Sequence, residues 1–319
     1  MNDALSNILQ TFELGSSVYF QSAFHRPWGM DVDQSPFAQF HMVVRGACLI
    51  YHAAMASPVQ LSAGDIIVFP HGTSHWLADQ PSSQRKSGKQ VVEEITQNSN
   101  TLTSSNDALP NISDTIICGH FEWDKKLKHP FLNSLPTMIH IKNNDQQVTD
   151  RITTTANLLI QESNTSRQGA NLIIERLAEI LLVHVFRAFL DQNDQDQGFA
   201  KALLHPSVAR SIDAIHTNPH HPWTIELLAR HAGMSRTAFA VLFKKLTGST
   251  PMQYCFNWRM ILAYRYLLNT SWSIPDLAER VGYRSEAAFN RAFKRHFAET
   301  PASTRRSALA KSFKLNTSD

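Results

Sequence analysis

The chain has 319 residues, of which 43% are hydrophobic and 18% are charged, which is typical of a soluble globular protein with two domains. Its three cysteines, Cys48, Cys118 and Cys255, are too widely spaced for a disulfide framework or a zinc finger. The N-terminus does not resemble a signal peptide and no apolar run is long enough to span a membrane, so we expect a cytoplasmic protein.

The charge is distributed unevenly along the chain. The net charge is +3, but residues 205–319 carry 16 Lys and Arg against 7 Asp and Glu, whereas residues 1–204 carry 14 against 20. Because clustered cationic residues attract polyanions, we expect only the C-terminal third to bind nucleic acid.

The N-terminal half predicts a short helix followed by many strands. Residues 1–14 have an amphipathic helical pattern, and residues 15–80 consist of short β-rich runs that Pro, Gly and Ser interrupt. Such runs are typical of a β-sandwich or barrel, to which residues 115–123 add a later strand. The polar residues 81–113 predict a mobile loop inserted between two strands.

From about residue 147 the hydrophobic period becomes helical. Two stripes, at 147–160 and 170–190, predict a helical hairpin that packs on the barrel or dimerises it. Residues 191–204 are predicted to be a linker. The expected fold class is therefore α+β with two domains: a sensor domain over 1–190, with its hairpin at 147–190, and an all-α domain over 205–319.

The all-α domain carries one pattern twice, with an offset of 49 residues that becomes 50 after the turn. Each copy predicts a short apolar helix, a glycine turn, a serine N-cap and a second helix ending in basic residues, which is a helix-turn-helix unit. Two such units in one chain suit two successive major grooves of DNA. The first copy contains Leu228-Ala229, Gly233, Ser235, Phe239, Phe243-Lys244-Lys245 and Pro251, and the second contains Leu277-Ala278, Gly282, Ser285, Phe289, Phe293-Lys294-Arg295 and Pro301.

The helix boundaries of this domain follow from cap and stop residues. The predicted helices run from the N-cap Ser207 to about His216, from Thr224 to Ala232, from Ser235 to Leu246, from Pro251 to Leu268, from Ser273 to the turn at Gly282, from Ser285 to Phe297, and onward from Pro301.

The second helix of each unit is the predicted recognition helix. Its apolar positions are expected in the core: Phe239, Leu242, Phe243 and Leu246 match Phe289, Ala292, Phe293 and His296. The residues left to contact DNA are Ser235, Arg236, Thr237, Ala240, Val241, Lys244 and Lys245 in the first unit, and Ser285, Glu286, Ala287, Asn290, Arg291, Lys294 and Arg295 in the second.

Different roles in DNA binding are expected for these residues. Asn290 and Arg291 can pair with adenine and guanine, whereas Ala240 and Val241 can meet only thymine methyl groups. The second unit is therefore expected to read more bases than the first, unless Arg236 compensates. The lysines and Arg295, further along each helix, are expected to contact phosphates or to form a solvated face.

The C-terminal residues resemble the DNA-binding domain of the AraC/XylS family of transcription regulators. The resemblance covers about 100 residues; small apolar residues stand at 240 and 241, where well-studied members often have larger or polar ones. It implies a monomeric bipartite DNA contact, a helix linking the two units, and activation or repression of transcription at promoters, with RNA polymerase as a partner. It rests on Trp223 through Phe239, Phe243 to Pro251, Trp258-Arg259-Met260 with Ala263, Ala278 to Arg295, and Pro301-Ala302.

The N-terminal half resembles the cupin sensor domain of one branch of this family, which includes reactive-chlorine-responsive regulators. The resemblance rests on Gly64-Asp65 and on the run from Pro70 to His75, with Cys118-Gly119 on a later strand. Cupin histidines bind metals, so a zinc site is one expectation, and packed barrel residues are the alternative. The candidate ligands are His41, His75, Cys118 and His120.

The function expected from the sequence is a DNA-binding regulator of transcription, an activator with a repressor as the open alternative, whose cupin domain senses a small molecule, a metal or an oxidant. Cys118 is the candidate redox thiol, together with the sensor histidines His41 and His75. A homodimer is a further expectation. The alternative is a cupin metalloenzyme, a dioxygenase or isomerase, fused to a DNA-binding module, but the first cupin motif here supplies a single histidine.

Overall fold

The computed structural model describes residues 3–12, 14–97, 112–124, 126–143, 146–165, 167–192 and 198–315. The chain forms two compact units. The barrel unit comprises Leu14–Trp123 and Leu135–Gln192, and the helical unit comprises Met1–Glu13, Asp124–Ser134 and Asn193–Asp319. None of the helices in these described ranges has the length and apolarity needed to cross a membrane.

The secondary structure alternates between the two units along the chain. The strands are β1 (Gly15–His25), β2 (Gly29–Val32), β3 (Ala38–Arg45), β4 (Ala47–Tyr51), β5 (Val59–Ser62), β6 (Ile66–Phe69), β7 (His75–Ala78), β8 (Lys86–Ser87), β9 (Ile112–Glu122) and β10 (Ile139–Ile141). The helices are α1 (Ala4–Thr11), α2 (Gly88–Gln97), α3 (Pro130–Asn133), α4 (Gln146–Ser163), α5 (Ala170–Gln192), α6 (Phe199–Leu204), α7 (Pro206–Thr217), α8 (Ile225–Ala232), α9 (Arg236–Thr247), α10 (Pro251–Asn269), α11 (Ile274–Arg280), α12 (Glu286–Phe297) and α13 (Pro301–Leu315).

The barrel unit is built from two five-stranded sheets, which confirms the predicted sheet-rich N-terminal domain. The first sheet has the strand order β1-β9-β3-β6-β10, and the second has β5-β4-β7-β2-β8. Because side chains alternate between the faces of a strand, β3 presents His41 and Val43 on one face and Phe40 and Met42 on the other. Val43 belongs to the core cluster of the unit, to which the second sheet contributes Leu77.

A buried carboxylate ties three segments of the barrel unit together. Asp114 of β9 accepts hydrogen bonds from Arg26 at 3.0 Å, from the Trp28 indole at 2.9 Å and from the Ala47 backbone at 2.9 Å. Burial raises the pKa of Asp114, but these hydrogen bonds and the Arg26 charge outweigh burial and lower it overall.

Two predictions on connecting segments were wrong. Residues 86–97 of the predicted 81–113 loop form β8 and α2, because Val91, Val92 and Ile95 pack against the barrel core. Residues 98–111 of that loop lie outside the described residues. The predicted 191–204 linker contains the helix α6, which buries Phe199, and its residues 193–197 also lie outside the described ranges.

Four N-caps of the helical unit confirm the predicted helix starts. In each, the hydroxyl of the cap accepts from the backbone N–H three residues on, which satisfies a donor that the helix leaves unpaired. Gly233, at φ 68°, ends α8 in the left-handed conformation expected of the turn. The prediction for Ser207 was wrong, since α7 begins at Pro206 with His205 as its N-cap. The four caps are Thr224, Ser235, Ser273 and Ser285.

The helical unit also includes α1 and residues 124–134, which the sequence assigned to the N-terminal domain. His129 of the second segment is buried beside α10, with its Nε2 3.0 Å from the Tyr254 hydroxyl. That hydroxyl lies 2.8 Å from Nε2 of His216 in α7. Burial lowers the pKa of His129 to about 3, so the imidazole is neutral. His129 is therefore part of the core of the helical unit.

We expect Asp114→Asn to lower the free energy of unfolding of the barrel unit by about 1–3 kcal/mol at pH 7, because the amide leaves buried donors poorly paired. Because folding lowers the pKa of Asp114, its ionised carboxylate stabilises the fold at pH values above the usual pKa of an Asp. This stabilisation is lost as the pH falls through the pKa of Asp114 in the folded protein. The difference in unfolding free energy between the unaltered protein and Asp114→Asn should therefore become smaller in acid. Thermal unfolding, followed by circular dichroism at several pH values, measures this difference.

The matched control for this experiment is Asp31→Asn. Asp31 pairs with Arg85 at 2.9 Å at the surface, and exposed pairs contribute less than about 1 kcal/mol. An Asp114→Asn variant as stable as the control at pH 7 would contradict the account.

Candidate DNA-recognition helices and effector cavity

The first predicted recognition helix, α9, buries most of its predicted core positions and exposes most of its predicted contact positions. Phe239, Phe243 and Leu246 are buried, while Leu242 is half-buried. The predicted contact residues are exposed, except that Ala240 is half-buried. The exposed ones are Ser235, Arg236, Thr237, Val241, Lys244 and Lys245. Val241 is 66% exposed, so a large apolar side chain projects from the middle of this helix.

Arg236 of the first recognition helix is held by an ion pair. Its guanidinium lies 3.0 Å from a carboxylate oxygen of Glu226, in the preceding helix α8. Both side chains are largely exposed, so the pair costs little to break. Arg236 is therefore exposed at the start of α9, and its ion pair with Glu226 is weak enough to be exchanged for another partner.

The second recognition helix, α12, presents a different set of polar groups. Asn290 Nδ2 donates to a Glu286 carboxylate oxygen over 3.4 Å, one helical turn away. The Arg295 guanidinium lies 5.1 Å from the ring centre of Phe256, a cation–π distance. Phe289, Ala292 and Phe293 are buried as predicted, and Asn290 and His296 are half-buried. The other predicted contact residues, Ser285, Glu286, Ala287, Arg291, Lys294 and Arg295, are exposed.

The predicted sensor residues meet between the two sheets of the barrel unit. His41 belongs to β3 of the first sheet and His75 to β7 of the second, and their Nε2 atoms lie 2.7 Å apart. The other ring nitrogen of His41 lies 3.0 Å from Cys118 Sγ, on the neighbouring strand β9. His75 Nδ1 lies 2.7 Å from the carbonyl oxygen of Thr73.

The carbonyl of Thr73 fixes every proton in this chain of hydrogen bonds. Because a carbonyl only accepts, His75 must carry its proton on Nδ1, and its Nε2 must accept. His41 then donates from Nε2 to His75, and its Nδ1 accepts from the thiol of Cys118. The result is one directed relay, Cys118 to His41 to His75 to Thr73. We call it the thiol–imidazole relay.

Burial keeps every member of the relay uncharged at neutral pH. It lowers the pKa of His75 to about 4 and that of His41 well below its usual value, which His75 lowers further. Burial also raises the pKa of Cys118 well above its usual value, and Cys48 adds to the shift. Cys48 itself has a pKa raised to about 12, mainly by burial. Both thiols lie in one core cluster and are therefore protonated.

A cavity of about 430 Å³ reaches this relay from the side of α2. The buried residues His41, Cys118 and Gln39 help to line it, and Met30, Val32, Pro36 and Val92 supply apolar wall. Its other lining residues include Asp33, Gln34, Ser35, Gly88, Lys89, Glu93 and Gly119. The size is within the usual range of small-molecule sites.

Gln39 and the α2 wall are functional candidates that the sequence analysis missed. Residues 88–93 were predicted to be part of a loop, so a helix that lines a cavity was not expected there. Gln39 stands two residues before His41, on the same face of β3, and this alternation is a signal that could have identified it.

The four predicted zinc ligands do not converge on one point. His41 uses both ring nitrogens, on His75 and on Cys118, and His120 Nε2 lies 2.5 Å from Glu122. Across the described residues, no group of three or more His, Cys, Asp or Glu side chains is placed to hold a metal ion. Zinc binding therefore stays a prediction that this arrangement of donors does not support.

Comparisons with known proteins agree with both halves of this description. The family model described as cupin matches residues 3–191, and the one described as a helix-turn-helix domain matches residues 228–307. The regulator AlkR of Acinetobacter baylyi is 28% identical over 94% of this chain and 97% of its own. The activator RclR of Escherichia coli, named as specific for reactive chlorine species, is 30% identical over 61% of this chain and 69% of its own.

Among solved structures, the DNA-binding domain of AdpA in complex with a target DNA is 33% identical over 33% of this chain and 95% of its own, with a TM-score of 0.32. The matched domains and the named relatives define the class of this protein, a DNA-binding transcription regulator. The chain belongs to the cupin family, in the branch that joins a cupin domain to an AraC-type helix-turn-helix domain. The relatives are named as regulators, so they favour this function over the fused metalloenzyme.

We expect the Cys118 thiol to react with iodoacetamide at pH 8 roughly a hundredfold or more slowly than free cysteine, because the thiolate is the reactive species and burial suppresses it. The measurement uses a variant with Cys48→Ala and Cys255→Ala, which leaves Cys118 alone. Unfolding in urea should restore the rate of free cysteine. Labelling of the folded protein at that rate would contradict the buried, protonated state.

Proposed function

We propose that this regulator binds an effector in the cavity beside the thiol–imidazole relay and reads its operator with α9 and α12. The observation that carries the effector site is the cavity itself, which His41 and Cys118 help to line. A ligand that fills it contacts α2, β3 and β9 together, so occupancy favours one arrangement of these elements.

The operator is read unequally by the two helices in this proposal. Asn290 and Arg291 supply directional hydrogen bonds to base edges, and Glu286 orients Asn290 through their mutual hydrogen bond. In the first unit, Arg236 is the polar reader, and Val241 contacts a thymine methyl group. Lys244, Lys245, Lys294 and Arg295 hold phosphates, which sets the salt dependence rather than the sequence preference.

The proposal extends to the partners of the regulator. Leu158 of α4 and Leu172, Ile173 and Ile180 of α5 are large apolar side chains left exposed on the helical hairpin. A second copy of the chain would cover them, giving a homodimer. At the promoter, the dimer acts as a cytoplasmic activator that recruits RNA polymerase.

A second candidate function is oxidant sensing by Cys118. The observation that favours it is the hydrogen bond from the thiol to His41, which can take the proton when the sulfur is attacked. Hypochlorite would oxidise the thiol to a sulfenic acid and be reduced to chloride. Oxidation would break the relay at its first hydrogen bond.

We expect Asn290→Ala and Arg291→Ala each to lose about 1–3 kcal/mol of discrimination at one base pair, because each removes a bidentate contact. Lys244→Ala should instead weaken binding to all sequences and lower the salt slope by about 1. The measurement is titration of the full chain with an operator selected from random DNA and with its single-base variants.

Lys142→Ala is the matched control for the operator titrations, since Lys142 is an exposed lysine of the barrel unit. Unchanged base preference in both Asn290→Ala and Arg291→Ala would overturn the assignment of readers to α12.

Oxidant sensing predicts that equimolar hypochlorite consumes the Cys118 thiol and changes operator affinity. Cys118→Ser should abolish the change, whereas Cys255→Ser, which removes a buried thiol of the helical unit, should keep it. Mass spectrometry of the treated protein reports the thiol directly. A Cys118 that stays reduced while operator affinity changes would rule out this candidate.

A further inference from the structure

The chain enters the first helix-turn-helix unit through a loop that is closed on itself. This loop, residues 218–224, joins α7 to α8, and we call it the entry loop. The indole N–H of Trp223 donates to the Asn218 carbonyl over 2.9 Å, and the hydroxyl of Thr224 caps α8. A displacement of the entry loop should therefore move α8, against which the recognition helix α9 packs.

Arg259 of the linking helix α10 binds the backbone of the entry loop at two points. Its Nε donates to the Pro219 carbonyl over 2.7 Å, and its Nη2 donates to the His221 carbonyl over 2.8 Å. The planar guanidinium presents these donors in a rigid fork. Because hydrogen bonds have a preferred angle as well as a preferred distance, the two bonds define how the entry loop is oriented on α10.

The same guanidinium lies against the turn of the second unit. A Cβ atom on Gly282 would lie 3.0 Å from Arg259 Cζ and Nη2 and 3.0 Å from the Cα atom of His220. The glycine therefore allows the turn, Arg259 and the entry loop to meet at one place. The next residue, Tyr283, packs edge-on against Phe289 in the core of α12, with 5.7 Å between the ring centres. The position of this turn is thus connected to that of the second recognition helix.

A cleft of about 570 Å³ lies beside this contact. It is lined by Pro219 and His220 of the entry loop and by Glu279 and Arg280 of α11, the first helix of the second unit. Because a cleft of this size has room for many water molecules, the entry loop and α11 do not pack closely there. The orientation of the loop relative to the second unit therefore depends on α10 and on the contact at Arg259.

Aromatic contacts also join α10 to both units. Tyr254 packs on Phe243 of α9 with 5.6 Å between the ring centres, and Tyr264 packs on Phe297 of α12 with 5.0 Å. Hydrophobic attraction of this kind holds the units together, but it is not directional. The two hydrogen bonds of Arg259 are directional, so they are suited to set the angle between the units.

We infer that Arg259 is a positioning residue that fixes α9 relative to α12 and thereby sets the number of base pairs between the two half-sites that one chain reads. Helices that read successive major grooves lie about 34–36 Å apart, which is about 10 base pairs. One inserted base pair shifts the second half-site by about 3.4 Å and turns it by about 35° around the DNA axis. Rigidly held helices cannot follow that change. This inference rests on the proposed reading of the operator by α9 and α12, and it names a residue that determines which operators both helices can read together.

The test compares the affinities of the full chain for operators that differ only in spacing. The probes are the operator selected from random DNA and the same operator with one base pair inserted between its half-sites. We expect the insertion to weaken binding of the unaltered protein at least tenfold, because one recognition helix loses its base contacts. For Arg259→Met, which removes the donors and keeps an unbranched side chain, the loss should fall to about threefold or less. A substitution that only destabilised the fold would instead weaken binding to both probes alike.

Arg210→Met is the matched control. Arg210 precedes Arg259 by 49 residues, which is the offset of the repeat, but its Nη2 donates to the Ala232 carbonyl in the turn of the first unit, 3.1 Å away. The control removes the same charge, so it should weaken binding to both probes and keep the tenfold effect of the insertion. Arg259→Lys keeps the charge but not the fork, so its effect should lie between those of the unaltered protein and Arg259→Met. Circular dichroism checks that each variant folds.

A distance measurement tests the role of Arg259 without DNA. Nitroxide labels on Val241→Cys and Arg291→Cys, at exposed positions of α9 and α12, report the separation of the two helices by double electron–electron resonance. The three native cysteines are buried and should stay unlabelled in the folded protein. We expect the distribution of distances to be broader when Arg259→Met is added to this labelled protein.

The outcomes separate this inference from the proposed function. An insertion effect in Arg259→Met equal to that of the unaltered protein, or an equally narrow distribution of distances, overturns the role of Arg259 and leaves operator reading by the two helices intact. If the unaltered protein binds both spacings equally, it does not read the two half-sites at once. That result overturns the proposed reading by α9 and α12 together with this inference.

Discussion

A hydrogen bond between two buried imidazoles joins the two sheets of the barrel unit beside the proposed effector cavity, and the proposed sensing function depends on it. His41 and His75 come from different sheets, and their contact lies within a core where neither ring is charged. Because the Thr73 carbonyl fixes the tautomer of His75, it also sets the tautomer of His41 and the direction of the Cys118 thiol. A change at Cys118 or in the cavity beside it therefore reaches both sheets.

The turn that brings His75 into this contact has a strict backbone requirement. Gly72 adopts φ +63°, and a Cβ atom there would overlap the Ser35 carbonyl. The same backbone gives a hydrogen bond from Ser35 N–H to the Gly72 carbonyl at 2.8 Å, which holds the turn against the loop that lines the cavity. Gly72, the glycine of the cupin-like motif from Pro70 to His75, thus has a structural role that does not require a metal.

The elements that local chemistry determines could be predicted from the sequence. The caps at Ser235 and Ser285 and the turn at Gly233 are short-range features, and each lies at its predicted position. The helix α2 was missed because its apolar stripe is only three residues long and becomes meaningful only against the barrel core. His129 could not be assigned to the helical unit, since its partner Tyr254 is 125 residues away along the chain.

The candidate site, too, could be predicted only in part from the sequence. Sequence pattern identified His41, His75 and Cys118, but it left open whether they bind a metal or one another. The distances decide how the three side chains are connected, because each nitrogen of His41 meets a protein partner. Gln39 was missed although strand alternation places it on the face of His41, because a polar residue on a strand resembles a solvent-facing one until its burial is known.

The account makes one central claim, that the contents of the cavity control the recognition helices. The most direct test is the dissociation constant of the full chain for its selected operator, compared with that of Val92→Trp, in which a larger side chain fills the cavity. We expect at least a fivefold difference between the two proteins, within the usual range of allosteric coupling. Equal operator affinities, with circular dichroism showing that Val92→Trp is folded, would contradict the claim.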